Sequence, residues 1–404
     1  MNDSYKFTES GTLNVKGLAT NIESDESDSC YRERLVFLKK LGSGASGVVY
    51  LAVDLCSLTL VAVKIINIFE RGKRRQMVHE LETLGEISGE GNGNVVKFVD
   101  AFGNASTASV GLIVEYMDGG SLDDIVDAGG CSDESVLASI TRQMLHGLKF
   151  LHDECGQMHR DVKPANVLIN RRGEVKISDF GIARNMKVSK EDDEPAAGVE
   201  AKTFVGTLTF MSPERINGGN YGFGADVWSA GLTILTTALG KIPLETSGGY
   251  WSVMACVRED DAPTLPADGP WSDLFRDFLA LCLEKDEKMR PTCAQLLEHE
   301  FVKGARAADE EQKTREEAVT DLENILEAIV VHTKKMIERG AVYVRPGSEG
   351  CGGSLVNMLS EFLLNRMDLL KNLATQLELD VGEVESVCSK FIHKAAAASY
   401  LDGD

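Results

Sequence analysis

No stretch of this 404-residue chain approaches the roughly 20 consecutive apolar residues that cross a bilayer. Its opening, Met1-Asn2-Asp3-Ser4, lacks the basic and apolar regions of a secretory signal. The nine cysteines are scattered, odd in number and never spaced as CxxC. That excludes a disulfide framework and a zinc-finger spacing, and it fits a reducing, cytoplasmic setting. Basic charge is short: 42 Lys and Arg against 63 Asp and Glu leave a net charge of −21. The expectation is no nucleic-acid partner and no membrane partner, while a basic segment of another protein suits this surface. No internal repeat is found. What is present, 43% hydrophobic and 26% charged residues, is ordinary for a globular protein. Two or three domains fit at about 150 residues each, and a wholly disordered or fibrous chain is excluded.

Residues 1–30 are polar and acidic, with Glu23-Ser24-Asp25-Glu26-Ser27-Asp28, and read as a disordered leader. From Val36 the pattern changes to short β-rich runs, Val36 to Leu41, Val48 to Val53 and Leu60 to Ile66, the signature of an antiparallel meander. A helix is expected over Lys73 to Ile87, then strands at Val95 to Phe102 and Leu112 to Met117. Helices dominate from Ser121, including Glu134 to His152 and Val227 to Leu239. Strands first and helices afterwards predict an α+β, two-lobed architecture. After Phe301 three amphipathic helices are expected: Asp309 to Arg339, Ser354 to Leu377, and one opened by the capping-box pattern Asp380-Val381-Gly382-Glu383.

Four segments bear chemistry. Gly42-Ser43-Gly44-Ala45-Ser46-Gly47-Val48-Val49 lies between two predicted strands. Glycines there let backbone N–H groups approach phosphates, and a plain hairpin turn is the alternative. In Val61-Ala62-Val63-Lys64 a lysine sits in an apolar strand, costly unless its ammonium meets an anion; Glu80 on the following helix is one source, a solvated edge position the bland reading. Met158-His159-Arg160-Asp161-Val162-Lys163-Pro164-Ala165-Asn166 sets Asp161, Lys163 and Asn166 on one loop. There Asp can orient a hydroxyl, Lys can neutralise a phosphoryl group and Asn can ligate a metal. Lys176-Ile177-Ser178-Asp179-Phe180-Gly181 adds a carboxylate at a strand end, suited to Mg²⁺ held by phosphate oxygens. Glu214 and Arg290 are a candidate buried structural ion pair.

In that order, the Gly-rich loop, Val-Ala-Val-Lys, His-Arg-Asp, Asp-Phe-Gly and Ser-Pro-Glu (Ser212 to Glu214) make residues 31–303 resemble a eukaryotic protein kinase. The lysine two places after Asp161 resembles the serine/threonine-type loop. Glu115 to Leu122, Thr203-Phe204-Val205-Gly206-Thr207, Phe210 to Ile216 and Cys282-Leu283-Glu284-Lys285-Asp286 narrow the likeness to MAP kinase kinases. The resemblance implies a β-rich N-lobe and a helical C-lobe, with residues 304–404 as a helical extension. It implies ATP bound by Leu41, Gly42, Ser43, Gly44, Ala45, Ser46, Gly47, Val49, Ala62, Lys64, Glu80, Leu168, the gatekeeper Val114 and the hinge Glu115 to Met117. Mg²⁺ would be held by Asn166 and Asp179, with Asp161 and Lys163 catalytic. The implied substrate is a MAP kinase, phosphorylated on Thr and Tyr of its activation loop, and the implied activator an upstream MAP kinase kinase kinase.

Thr203 matches one of the family's two activating phosphosites, but Ala196-Ala197-Gly198-Val199-Glu200-Ala201 upstream has no hydroxyl. Two rival functions are another Ser/Thr kinase not acting on a MAP kinase, and a pseudokinase scaffold. The extension is expected either to pack on the C-lobe or to offer a face to a partner, Asp309 to Arg339 docking the upstream kinase by resemblance. Truncation after Phe301 is accordingly expected to spare basal phosphoryl transfer.

Overall fold

A computed structural model describes residues 5–7, 13–15, 34–44, 47–67, 93–104, 109–179, 208–219, 221–244, 249–304, 315–338 and 367–399. Two short strands, β1 (Tyr5–Phe7) and β2 (Leu13–Val15), pair antiparallel inside the segment expected to be a disordered leader. Their register sets Tyr5 opposite Val15 and Phe7 opposite Leu13. These two apolar alternations are too short to stand out from the acidic composition around them.

The main sheet has five antiparallel strands: β3 (Leu35–Gly44), β4 (Gly47–Asp54), β5 (Thr59–Asn67), β6 (Phe98–Asn104) and β7 (Ser109–Glu115), in spatial order β3-β4-β5-β7-β6. The expected meander is therefore present. Successive side chains point to opposite faces of a strand, and here both faces are covered. Leu35, Ala52, Val61 and Val63 enter one core with Phe102 and Ile113. Their neighbours Val36, Leu51, Val53 and Leu60 enter another. The fourth and fifth strands end differently from the sequence reading. Val95, expected in a strand, makes a lone parallel bridge to Ile177, and β7 stops at Glu115 because Tyr116 and Met117 leave the sheet to reach the helical lobe.

That lobe holds α1 (Leu122–Asp127) and α2 (Glu134–Lys149), the latter capped by Asp133, whose carboxylate accepts from the Ser135 amide at 2.8 Å. α2 runs into a π-helical turn at Phe150–Glu154. A hairpin of β8 (Val167–Ile169) and β9 (Val175–Ile177) follows. Then come α3 (Pro213–Ile216), α4 (Gly224–Leu239), α5 (Gly249–Glu259), α6 (Asp273–Cys282), α7 (Cys293–Leu297) and α8 (Glu300–Lys303). Ala225 to Ala238 of α4 are all buried, as befits a helix at the centre of a core that includes Trp228, Phe275 and Phe278. The two expected lobes are both there.

The C-terminal segment forms α9 (Arg315–Glu338), α10 (Met367–Leu377) and α11 (Val381–Ser399). Asp380 and Glu383 cap α11 as read: the Asp380 amide donates to Glu383 Oε2 at 3.2 Å, and the Gly382 amide to Asp380 Oδ1 at 2.8 Å. Leu322, Ile325, Leu326, Ile329, Leu373, Leu377 and Val384 are buried together with Val36, Leu51, Val53, Leu58 and Leu60. The extension thus covers the part of the sheet formed by Val36, Leu51, Val53 and Leu60, on the face that Leu60 shares with Ala62 and Lys64, whereas the sequence reading weighed packing on the helical lobe. An apolar helical stripe says that a helix must pack and leaves its partner undecided. The helix expected over Lys73 to Ile87, with Glu80, lies outside the described residues, as do Ala45, Ser46 and Thr203.

Candidate active site

The Gly-rich hairpin closes between β3 and β4, with Gly44 opposite Gly47. Gly47 has φ +137°, and a Cβ there would collide with the Ile65 carbonyl, so only glycine fits. Lys64 is central in β5, between Val49 of β4 and Leu112 of β7, and is 7% exposed. Its Nζ meets Asp179 Oδ2 at 2.6 Å, which answers the question of a lysine in an apolar strand. The solvated-edge alternative falls. Among the described residues its anion is Asp179, beyond the strand end of Ile177, while Glu80 lies outside them. Ala62 pairs with Val114 in the register that leads through Val61 and Glu115 to the chain crossing. Met117 is buried, and Leu168 lies on β8, where Ser121 bridges it.

The loop after α2 brings the other polar groups together. Lys163 Nζ donates to Asp161 Oδ2 at 2.9 Å, and Asn166 Nδ2 donates to the same oxygen at 3.1 Å and to the Asp161 carbonyl at 2.7 Å. Asn166 closes a 3₁₀ turn begun by Pro164 and is 6% exposed. Its carbonyl accepts from the Ser178 amide at 2.9 Å, which ties the loop to the residue before Asp179. Arg160 and Asp179 both hold left-handed backbones, at φ 67° and 63°. Such conformations cost non-glycine residues about 1–3 kcal/mol and gather at functional sites. A cavity of about 470 Å³ opens elsewhere, beside Leu281, Lys288, Met289, Arg290, Glu298 and His299, away from Lys64, Asp161 and Asp179.

The whole stretch 35–302 matches the protein kinase domain family. Mitogen-activated protein kinase kinase 3 of Arabidopsis thaliana is 38% identical over 322 residues, 74% of this chain and 60% of that protein. Mitogen-activated protein kinase kinase 2 of the same plant is 38% identical over 275 residues, covering 66% of this chain and 72% of the relative. Mitogen-activated protein kinase kinase SIPKK of Nicotiana tabacum is 33% identical over 326 residues, 75% of this chain and 87% of the relative. The chain belongs to the protein kinases, among the MAP kinase kinases. It spans about three fifths of the length of the first relative named.

Of two residues that hold this kinase site together, Asp226 is absent from the sequence reading and His159 stands there without a role. Asp226 of α4 is fully buried and accepts from the His159 amide at 2.7 Å, the Arg160 amide at 2.8 Å and His152 Nε2 at 2.9 Å. Burial alone pushes its carboxyl pKa up. The His152 hydrogen bond, the electrostatic influence of the neighbouring His159 and His152 imidazoles and the Arg160 amide outweigh that and hold it below the usual range. His159, also buried, accepts the Asp161 amide at Nδ1 (3.2 Å). Its Nε2 therefore carries the proton and donates to the Ser178 carbonyl at 2.8 Å. One lone acid inside the apolar run of α4 was the available signal for Asp226. The Glu214–Arg290 pair forms as read, at 2.9 Å, with Arg290 also donating to the Gly224 carbonyl. No helix among the described residues is long and apolar enough to cross a membrane.

Proposed function

We propose that this kinase transfers the γ-phosphoryl of ATP to Thr and Tyr hydroxyls in the activation loop of a MAP kinase, as a dual-specificity member of its family. The observation that carries the reading is the convergence of Asp161, Lys163 and Asn166 on one loop, linked through Ser178 to the Lys64–Asp179 pair. Adenine would lie between Ala62 and Leu168, read by the Glu115 to Met117 backbone with Val114 behind it. Leu41 to Gly47 and Val49 would cover the phosphates, which Lys64, positioned by Glu80, would grip. The residues present fit Mg²⁺: Asn166 spends both amide hydrogens on Asp161, so its oxygen is the ligand atom left, and Asp179 supplies a carboxylate. Bound there, the ion supplies neutralisation of phosphate charge. Asp161 orients the attacking hydroxyl and takes its proton, and Lys163 balances charge on the transferred group.

Thr203 is the proposed activating site, phosphorylated by an upstream MAP kinase kinase kinase, its phosphate meeting Arg160. Incubation of the purified chain with ATP, Mg²⁺ and catalytically dead MAP kinases tests the reading. Label on Thr and Tyr of the activation loop, lost by about 10²-fold or more in Asp161→Asn, is expected. Label on unrelated Ser/Thr substrates alone would make this a different Ser/Thr kinase, and no label at all a scaffold.

A further inference from the structure

The extension does more than cover the sheet. α10 touches both halves of the cleft from behind. On the sheet side, Gln376 clasps the backbone of Leu60: its Oε1 accepts the Leu60 amide at 2.6 Å and its Nε2 donates to the Leu60 carbonyl at 3.0 Å. Asn372 adds a bond from Nδ2 to the Ser57 carbonyl at 2.8 Å. Leu60 immediately precedes the Val61–Glu115 pair that begins the crossing and lies two residues from Ala62. On the helical-lobe side, Arg172 Nη2 donates to the Thr375 carbonyl at 3.1 Å. Arg172 sits in the turn of the β8–β9 hairpin, whose first strand bears Leu168. Between the two anchors the crossing residue Tyr116 packs against the extension's apolar core. Burial and the nearby Asp118 and Asp321 carboxylates raise its phenol pKa.

We infer that α10 is a strap across the back of the hinge. Gln376 and Arg172 are positioning residues that hold the strands bearing Ala62 and Leu168 at a set separation, and thereby set nucleotide affinity. The consequence for affinity rests on the proposed reading that adenine lies between those two residues; the strap itself does not. A cross-lobe tie restricts the opening of the cleft, so losing one anchor loosens the hinge and weakens adenine binding without touching the phosphoryl-transfer groups.

The test uses the full chain with Arg172→Ala, Gln376→Ala and, as a control on the far helix, the exposed Glu385→Ala. Hydrogen exchange at 112–117 without nucleotide reads the strap alone. Kd for a non-hydrolysable ATP analogue and kcat at saturating ATP read its consequence. Each anchor variant is expected to speed hinge exchange and raise Kd by about 3–10-fold with kcat within about twofold, the scale of one hydrogen bond. Glu385→Ala should change nothing. Hinge exchange unchanged in both anchor variants overturns the strap. Faster exchange with an unchanged Kd overturns its role in affinity. If the unaltered chain binds no ATP, the kinase reading fails, and hinge exchange still decides the strap.

Discussion

Removing the C-terminal helices should unfold the sheet-rich lobe, contrary to the expectation formed from the sequence. Ending the chain at Gly304 uncovers Val36, Leu51, Val53, Leu58 and Leu60, each at most 7% exposed in the intact protein. Each such side chain is worth about 1.5–3 kcal/mol of burial, so the five together contribute on the order of 8–15 kcal/mol. That is an upper figure, since unfolded chains already bury some apolar surface, yet it rivals the roughly 5–15 kcal/mol that keeps a domain folded. A cut after Phe301 is worse, because Val302 is itself fully buried in the helical-lobe core. Leu377→Ala probes the same contact without truncation. Leu377 is fully buried, so the cavity should cost about 2–5 kcal/mol and lower the melting temperature by about 4–20 °C. Calorimetry and limited proteolysis of both variants, alongside phosphoryl transfer, provide the measurement. A truncated chain that melts within a degree or two of the full protein and keeps its activity would refute the shared core.

Asp226→Asn should lower kcat by about 10²-fold while ATP affinity holds, because one acceptor for the His159 and Arg160 amides becomes a donor and Asp161 is misplaced; steady-state kinetics with a nucleotide-binding measurement checks both halves. Glu214→Ala leaves the Arg290 guanidinium, whose side chain is 0% exposed, without its carboxylate, and should cost about 3–5 kcal/mol in urea unfolding. Replacing both partners with apolar residues should recover much of that loss. Asp54 is desolvated, which raises its pKa, but the Arg34 hydrogen bond at 2.7 Å and the Cys56 amide bring the net value below normal. It protonates more readily in the unfolded chain, near pH 3.9, so its stabilisation is present at neutral pH and fades as pH falls below about 4. Unfolding curves for the native protein and Asp54→Asn should therefore lie far apart at pH 7 and draw together as pH falls below about 4.

The polar groups of the site were legible as residue types at fixed spacing. Lys64 in an apolar strand, Asp161-Val162-Lys163 with Asn166, and Asp179 at a strand end each declared a charge that had to be satisfied, and local chain geometry brings Asp161, Lys163 and Asn166 together. Strand alternation in β3, β4 and β5 was equally readable, since it depends only on neighbours along the chain. Tertiary structure alone decided which partner each group met. Lys64 finds Asp179 across 115 residues, and Asp226 of α4 holds the Arg160 amide across 66 residues. In the same way, the stripe on α9 through α11 announced that these helices must be buried, but not against what. Hydrophobic burial is non-directional, so periodicity states a need for a partner. Only the fold, by leaving Val36, Leu51, Val53 and Leu60 of β3, β4 and β5 outside the core of the helical lobe, made them the partner.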